Sequence, residues 1–301
     1  MKLGISSASV TERYGYDKGF ELIKKSGFDA VDVGLEQYGV ESDPFKLYHR
    51  SEDEFCTFFD TIRKLAEKWE LEISQTHGRC NTYSMDKEHN AYVRWVSERD
   101  LKATSLLGAP ACVIHAIVSG RFPEHYQNLE FMISKNAEMY GDLAPFAEKN
   151  NVKIAIETSG RAMVNGREIK GCFSDAPVFQ KMFEAVDTRC KTVCVDTGHT
   201  NEAVPFGAPK VQELIRLLGK EITILHLHDN NGTYDQHLPP IRPSRGTVEW
   251  CEVFETLDEI GYSGVYNFEL NLIQFGGVMD EAVRFLGKYL RYFIENKGKL
   301  M

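Results

Sequence analysis

Four residues of metal-ligating type close four successive apolar runs in the second half of the chain. They are Glu157 in Val-Lys-Ile-Ala-Ile-Glu-Thr, Asp196 in Val-Cys-Val-Asp-Thr-Gly-His, His226 in Ile-Leu-His-Leu-His-Asp and Glu269 in Val-Tyr-Asn-Phe-Glu-Leu. One polar residue at the end of one such run is ordinary. Four in succession, about one per strand–helix unit, converge on a point only if the strands close into a barrel. Carboxylate and imidazole donors without thiolate suit Mn, Co, Mg, Fe or Zn. Two Glu, one Asp and one His leave coordination positions open for a hydroxy-carbonyl group. A cation held in this way polarises the carbonyl and stabilises an enediolate, while a carboxylate beside the adjacent carbon removes its proton. Glu157 and Glu269, on different strands, can approach opposite faces of a substrate. One then abstracts and the other donates, as an epimerase or aldose–ketose isomerase requires.

Further donors sit at or just past other predicted strand ends: His77, His115, His199, Asp235 and His237. Each has a plain structural reading by itself. A strand-end histidine is commonly a hydrogen-bonded loop residue, and Asp235 and His237 lie beside Asn230-Asn-Gly232, a turn signal. The group is more specific than its members, because with His228 it takes six of the nine histidines in the chain. His226 and His228 alternate along one strand and so share a face. His226 lies deeper in the apolar run and is the expected ligand; His228, expected nearer the mouth, is a candidate substrate contact.

These residues need elements to position them. Short β-branched runs at 2–6, 30–35, 71–76, 111–115, 152–157, 192–196, 222–226 and 264–269 alternate with helical patterns at 52–69, 88–107, 128–149, 176–186, 211–218, 248–260 and 280–296. Eight such units predict an α/β fold of the (β/α)8 TIM barrel type, a single domain over residues 1–301. A doubly wound open sheet is the rival, but Ser6-Ser-Ala-Ser9 stands after the first strand where a Gly-rich dinucleotide turn belongs. Residues 160–175 read as an extended loop after the fifth strand, on the face where barrels keep their active sites. Within it Arg161, Arg167 and Lys170 are cations that could hold a substrate's phosphate or carboxylate; solvated loop surface is the alternative.

With 43% hydrophobic and 26% charged residues, the 301-residue chain can bury a large core. Its net charge of −9 argues against a duplex-gripping or anionic-membrane surface. No apolar run is long enough to span a bilayer, and Met-Lys-Leu-Gly-Ile-Ser lacks a signal-peptide core. The seven cysteines form no C-x-x-C pair, which argues against a disulfide framework or a thiolate zinc site. A reduced, cytoplasmic protein is expected, and assembly as a homo-oligomer is left open.

The motifs Val-Asp196-Thr-Gly-His199, Leu-His226-Leu-His-Asp229 and Asp235-Gln-His237-Leu-Pro-Pro, followed by Arg245-Gly-Thr-Val-Glu-Trp250, resemble the xylose-isomerase-like TIM-barrel superfamily along essentially the whole chain. That superfamily holds sugar-phosphate isomerases and epimerases, ketohexose 3-epimerases, inosose dehydratases, hydroxypyruvate isomerases and endonuclease IV. The resemblance implies a metal core of Glu157, Asp196, His226 and Glu269, the glutamates doubling as the acid–base pair, with His199 on the substrate. It also implies a small carbohydrate partner, for which Arg161 of the 160–175 loop is the candidate contact. Ketohexose 3-epimerases carry a Glu where this chain has Met163 and an Arg where it has Gly232, which counts against that substrate. The full set of nine donors matches the multi-zinc arrangement of endonuclease IV, a phosphodiesterase of abasic DNA, and an inosose-dehydratase-type lyase would share the isomerase's first step.

Overall fold

The computed structural model describes residues 1–40, 43, 46–80, 82–241 and 246–299. Arg245 of the last motif lies outside them. Ten strands are present: β1 Lys2–Ser6, β2 Ala30–Gly34, β3 Glu72–His77, β4 Ala111–His115, β5 Lys153–Glu157, β6 Arg161–Val164, β7 Arg167–Lys170, β8 Lys191–Asp196, β9 Ile222–His226 and β10 Val265–Phe268. The α-helices are α1 Ala8–Tyr14, α2 Tyr16–Lys25, α3 Glu52–Lys68, α4 Lys87–Leu107, α5 Leu129–Asn150, α6 Ala176–Ala185, α7 Thr197–Ala203, α8 Val211–Leu218, α9 Trp250–Glu259 and α10 Met279–Glu295.

Eight parallel strands run in the order β10-β1-β2-β3-β4-β5-β8-β9. The ring closes just beyond β9. The Leu227 N–H donates to Asn267 O at 2.8 Å, and the Glu269 N–H donates to Leu227 O at 3.1 Å. The fold is therefore the expected (β/α)8 barrel, and every predicted barrel run is one of its strands.

Period-two alternation divides each strand between two cores. Cys112, Ile114, Ile154, Ile156, Val193, Val195, Leu225 and Leu227 face the helices and join the large outer core. Ala111, Val113, Ala155, Cys194 and Ile224 form a small separate cluster inside the ring. The next inward positions above that cluster are His115, Glu157, Asp196 and His226. A plug of small apolar side chains thus forms a floor, and the chemistry-bearing residues are the layer resting on it.

The segment at 160–175, expected as a loop, contains the antiparallel hairpin β6–β7. Its two-residue turn is Asn165-Gly166, with φ of 49° and 74°. Both positive values fit the primed turn that closes tight hairpins. Among the described residues, no helix is long and apolar enough to cross a membrane.

Candidate metal centre

The spacing Asp-Thr-Gly-His has a local cause. Asp196 is the N-cap of α7, and its Oδ1 accepts from the backbone N–H of His199 at 2.6 Å. The cap turns the chain so that His199 swings back over the barrel mouth. Gly198 is needed because the His228 ring lies where a Cβ would sit. Downstream, Asp229 accepts from the Thr247 N–H at 2.9 Å and from Trp250 Nε1 at 2.8 Å. That latch folds segment 246–250 back onto the end of β9, and Gly246 is small enough to rest on the Asp229 carboxylate.

Three carboxylates crowd one nitrogen. Nδ1 of His226 is 2.6 Å from Glu157 Oε1, 3.0 Å from Glu269 Oε2 and 3.9 Å from Asp196 Oδ2. An imidazole nitrogen offers one hydrogen or one lone pair, so it cannot satisfy all three. Glu157 Oε2, Glu269 Oε2 and His226 Nε2 are buried without a hydrogen-bond partner among the described residues. Buried carboxylate oxygens without a hydrogen bond are costly. A divalent cation among these oxygens and Nδ1 would satisfy them together, so the donor set fits the group it was expected to hold.

A second cluster lies against β3 and β4. His115 Nε2 is 2.7 Å from Glu157 Oε2 and 3.1 Å from His77 Nε2, while His77 Nδ1 is 3.4 Å from Glu269 Oε1. A third lies at the rim. Asp235 Oδ2 is 3.4 Å from His199 Nε2 and 3.1 Å from His237 Nε2, and His237 Nδ1 lies 3.1 Å from the Glu269 carbonyl oxygen. All nine predicted donors therefore meet in one continuous site.

The field is strongly negative, and the imidazoles record it. Burial opposes charge on His115, yet Glu157 and Cys80 push it up to about 10. Burial likewise opposes charge on His237, yet Asp235 and Glu269 hold it up at about 9. Against the effect of burial, Glu269 holds His77, Asp196 holds His199, and Cys194 with Glu269 holds His226 well above the ordinary histidine value. Burial would raise Glu157 and Glu269, but the facing imidazoles hold both well below the usual carboxylate range. The site draws positive charge to itself.

Two expected substrate contacts sit differently from their sequence reading. His228, expected nearer the mouth, is 0% exposed; its Nε2 is 3.0 Å from Asp196, and its ring stacks on His237 at 4.0 Å. It braces Asp196. Arg161, on β6, pairs with Glu168 at 2.7 Å and Glu202 at 3.2 Å beneath the Tyr234 ring.

Three residues of the site escaped the sequence reading. Asp32 on β2 is fully buried, with Oδ2 at 3.5 Å from His226 Nε2. The ring turns Nε2 toward Asp32 and Nδ1 toward the three carboxylates. Its signal was present, a lone carboxylate in Ala-Val-Asp-Val-Gly, but it lies inside the strand and not at its end. Glu202, three residues past His199, is held above the ordinary value by burial and the Asp235 charge. Cys80, three residues past His77, lies 3.5 Å from His115 Nε2.

Residues 20–289 match the family described as Xylose isomerase-like TIM barrel, and the chain belongs to that family. It is 30% identical over 273 residues, 89% of this chain and 83% of the other, to the uncharacterized protein MJ1311 of Methanocaldococcus jannaschii. It is similar in fold to the crystal structure of IolI protein with a binding zinc atom, with a TM-score of 0.74, 18% identity and 100% of both chains covered. It is also similar in fold to D-psicose 3-epimerase crystallised in the presence of D-fructose, with a TM-score of 0.68, 18% identity, and 99% of this chain and 100% of that one covered.

Proposed function

We propose that this xylose isomerase-like TIM barrel is an isomerase or epimerase of a sugar, keto-sugar, cyclitol or sugar phosphate, and that it works by moving a proton at a carbon beside a carbonyl. The observation that carries the reading is the pair Glu157 and Glu269, two carboxylates from well-separated strands that meet at His226 Nδ1 at 2.6 and 3.0 Å. Two proteins of similar fold, D-psicose 3-epimerase and the zinc-bearing IolI protein, support it.

Glu157, Asp196, His226 and Glu269 would hold a divalent cation (Mn, Co, Mg, Fe or Zn), with His77, His115, His199, Asp235 and His237 as additional donors. Such a cation supplies Lewis-acid polarisation of a carbonyl oxygen and compensates the charge that develops there as the neighbouring proton leaves. Glu157 and Glu269, kept anionic by the surrounding imidazoles, divide the proton work. One removes the proton from one face, and the other delivers a proton to the opposite face or to the adjacent carbon. His199 hydrogen-bonds substrate oxygens from the N-terminal turn of α7. Arg161, positioned by Glu168 and Glu202, lies near a substrate's outer end. His228 acts through Asp196 and does not touch substrate. Asp32 holds the His226 ring in place.

The test is exchange of solvent deuterium into a panel of ketoses, inososes and sugar phosphates by metal-loaded protein. Exchange into at least one, with product analysis to separate epimer, isomer and dehydrated product, supports the reading; dehydration would identify the lyase variant. The nine-donor convergence also suits an endonuclease IV-like phosphodiesterase, which a net charge of −9 disfavours. No exchange with any compound, together with cleavage of an abasic-site duplex, would replace the isomerase with the nuclease.

A further inference from the structure

The sequence argues against a thiolate metal site because no two cysteines are suitably spaced. The fold supplies a different pattern: His77-Gly-Arg-Cys80 places a thiol three residues after a strand-end histidine. The segment is held firmly against β4. The Gly78 N–H donates to Val113 O at 2.8 Å, and the His115 N–H donates to Arg79 O at 3.3 Å. Arg79 anchors it from behind, with its guanidinium 2.9 Å from the buried Asp100 carboxylate and donating to the carbonyls of Leu35, Glu36 and Tyr38. Cys80 Sγ donates to Glu36 Oε1 at 2.5 Å and reaches the same point as the two imidazoles.

That point is over-subscribed. His115 Nε2 faces Glu157 Oε2 at 2.7 Å, His77 Nε2 at 3.1 Å and Cys80 Sγ at 3.5 Å. One nitrogen cannot bond to all three. Glu157 is 2% exposed, and its Oε2 has no hydrogen-bond partner among the described residues even at that short separation. It points at a shared centre. The spacings suit a particular kind of occupant. Zinc bonds of about 2.3 Å to sulfur and about 2.0–2.1 Å to nitrogen, at tetrahedral angles, set ligand edges of about 3.5 Å for S···N and about 3.3 Å for N···N. The S···N and N···N edges, 3.5 Å and 3.1 Å, lie close to these values, and the Glu157 Oε2···His115 Nε2 edge, at 2.7 Å, must open to about 3.3 Å as the metal enters.

We propose that Cys80 contributes a thiolate ligand, beside His77, His115 and Glu157 Oε2, to a second cation site that selects zinc or another thiophilic metal. The proposal rests on the cation-centre reading above. The protein then holds two chemically different sites joined through Glu157. One is built from oxygens and a single imidazole and accepts hard or borderline ions. The other contains sulfur and rejects Mg and Mn. Binding at the second site releases the Cys80 proton to solvent as the S–metal bond forms; no oxidation or reduction is involved. Cys80 is exposed, so the ligand is open to thiol reagents and oxidants until metal covers it.

The test uses the full chain stripped of metal, titrated with zinc and separately with cobalt(II), in the wild type, Cys80→Ser and Cys194→Ala; Cys194, in β8, is the thiol of the cluster inside the ring. Wild type and Cys194→Ala are expected to bind two zinc ions and to show a thiolate-to-cobalt charge-transfer band. Cys80→Ser should lose the band and weaken the second zinc by more than about 100-fold, beyond the 10–100-fold typical of a residue that merely supports a ligand. Zinc should also protect one wild-type thiol from a chromogenic thiol reagent. Thermal melts report whether Cys80→Ser folds. Unchanged zinc stoichiometry and affinity in Cys80→Ser, or a charge-transfer band that follows Cys194, overturns the proposal and leaves the first site standing. Failure of the wild type to bind any zinc overturns both.

Discussion

The deep and rim halves of the centre use the same residue types and reach opposite states of satisfaction. At the rim, Asp235 sits between His199 and His237 at 3.4 and 3.1 Å, and His237 turns its other nitrogen to a backbone carbonyl at 3.1 Å. Each group there has an ion-pair partner, and Asp235 is exposed to solvent, so no buried charge is left over. In the depth, three carboxylates compete for His226 Nδ1, and two of them keep an oxygen with no hydrogen bond. A network that closes on itself can be structural. One that leaves buried carboxylate oxygens without a hydrogen bond, although imidazoles face them, needs another species to complete it. On the proposed reading, the chemistry belongs to the depth and the rim shapes its entrance.

The largest effect should come from the acid–base pair. Glu269→Gln should lower proton exchange by about a thousandfold, within the usual range for a positioned general acid or base, with the melting curve intact; exchange near wild-type rate would remove Glu269 from its role. Next comes metal affinity. Asp196→Asn should weaken the first cation by more than about 100-fold, whereas Asp235→Asn should change it by less than about tenfold if the rim is self-sufficient. Calorimetric titration of both variants checks this, and equal losses would erase the contrast between halves. Asp32→Asn, which leaves every ligand in place, should cost about 10–100-fold in the same titration; no change would mean that His226 is held by packing alone.

The smallest expected effect is in pH dependence, and its sign is fixed by the raised histidines. Without metal, protonated His115 and His237 contribute stability below the unfolded-state value of about 6.5. That contribution fades as pH rises through about 9 and about 10, their values in the fold. With metal the slope reverses, because binding requires neutral imidazoles and releases their protons. Thermal melts across this range, with and without chelator, should therefore diverge as pH increases. Parallel curves would show that the imidazoles do not serve as ligands.

Much of this could be read along the chain because it follows from local periodicity. A strand's alternation is set by backbone geometry, so Val113, Ala155, Cys194 and Ile224 must share a face with His115, Glu157, Asp196 and His226, whatever the rest of the fold does. Eight such runs separated by helical patterns left few architectures, and Asn165-Gly166 carried a hairpin signal inside what reads otherwise as a loop. Which inward residues meet was not local information. Asp32 reaches His226 from β2, three strand positions around the closed ring. Cys80 reaches His115 only because Arg79 is tied to Asp100 and three carbonyls. His228 became a buried brace because Gly198 admits its ring under the α7 turn. Contacts of that kind depend on how the ring closes at Leu227 and on where each loop is anchored. The sequence by itself determined the barrel and the types of donor lining it; the closed ring decided which of them face one another, because distances across a barrel are set by strand order and closure and not by spacing along the chain.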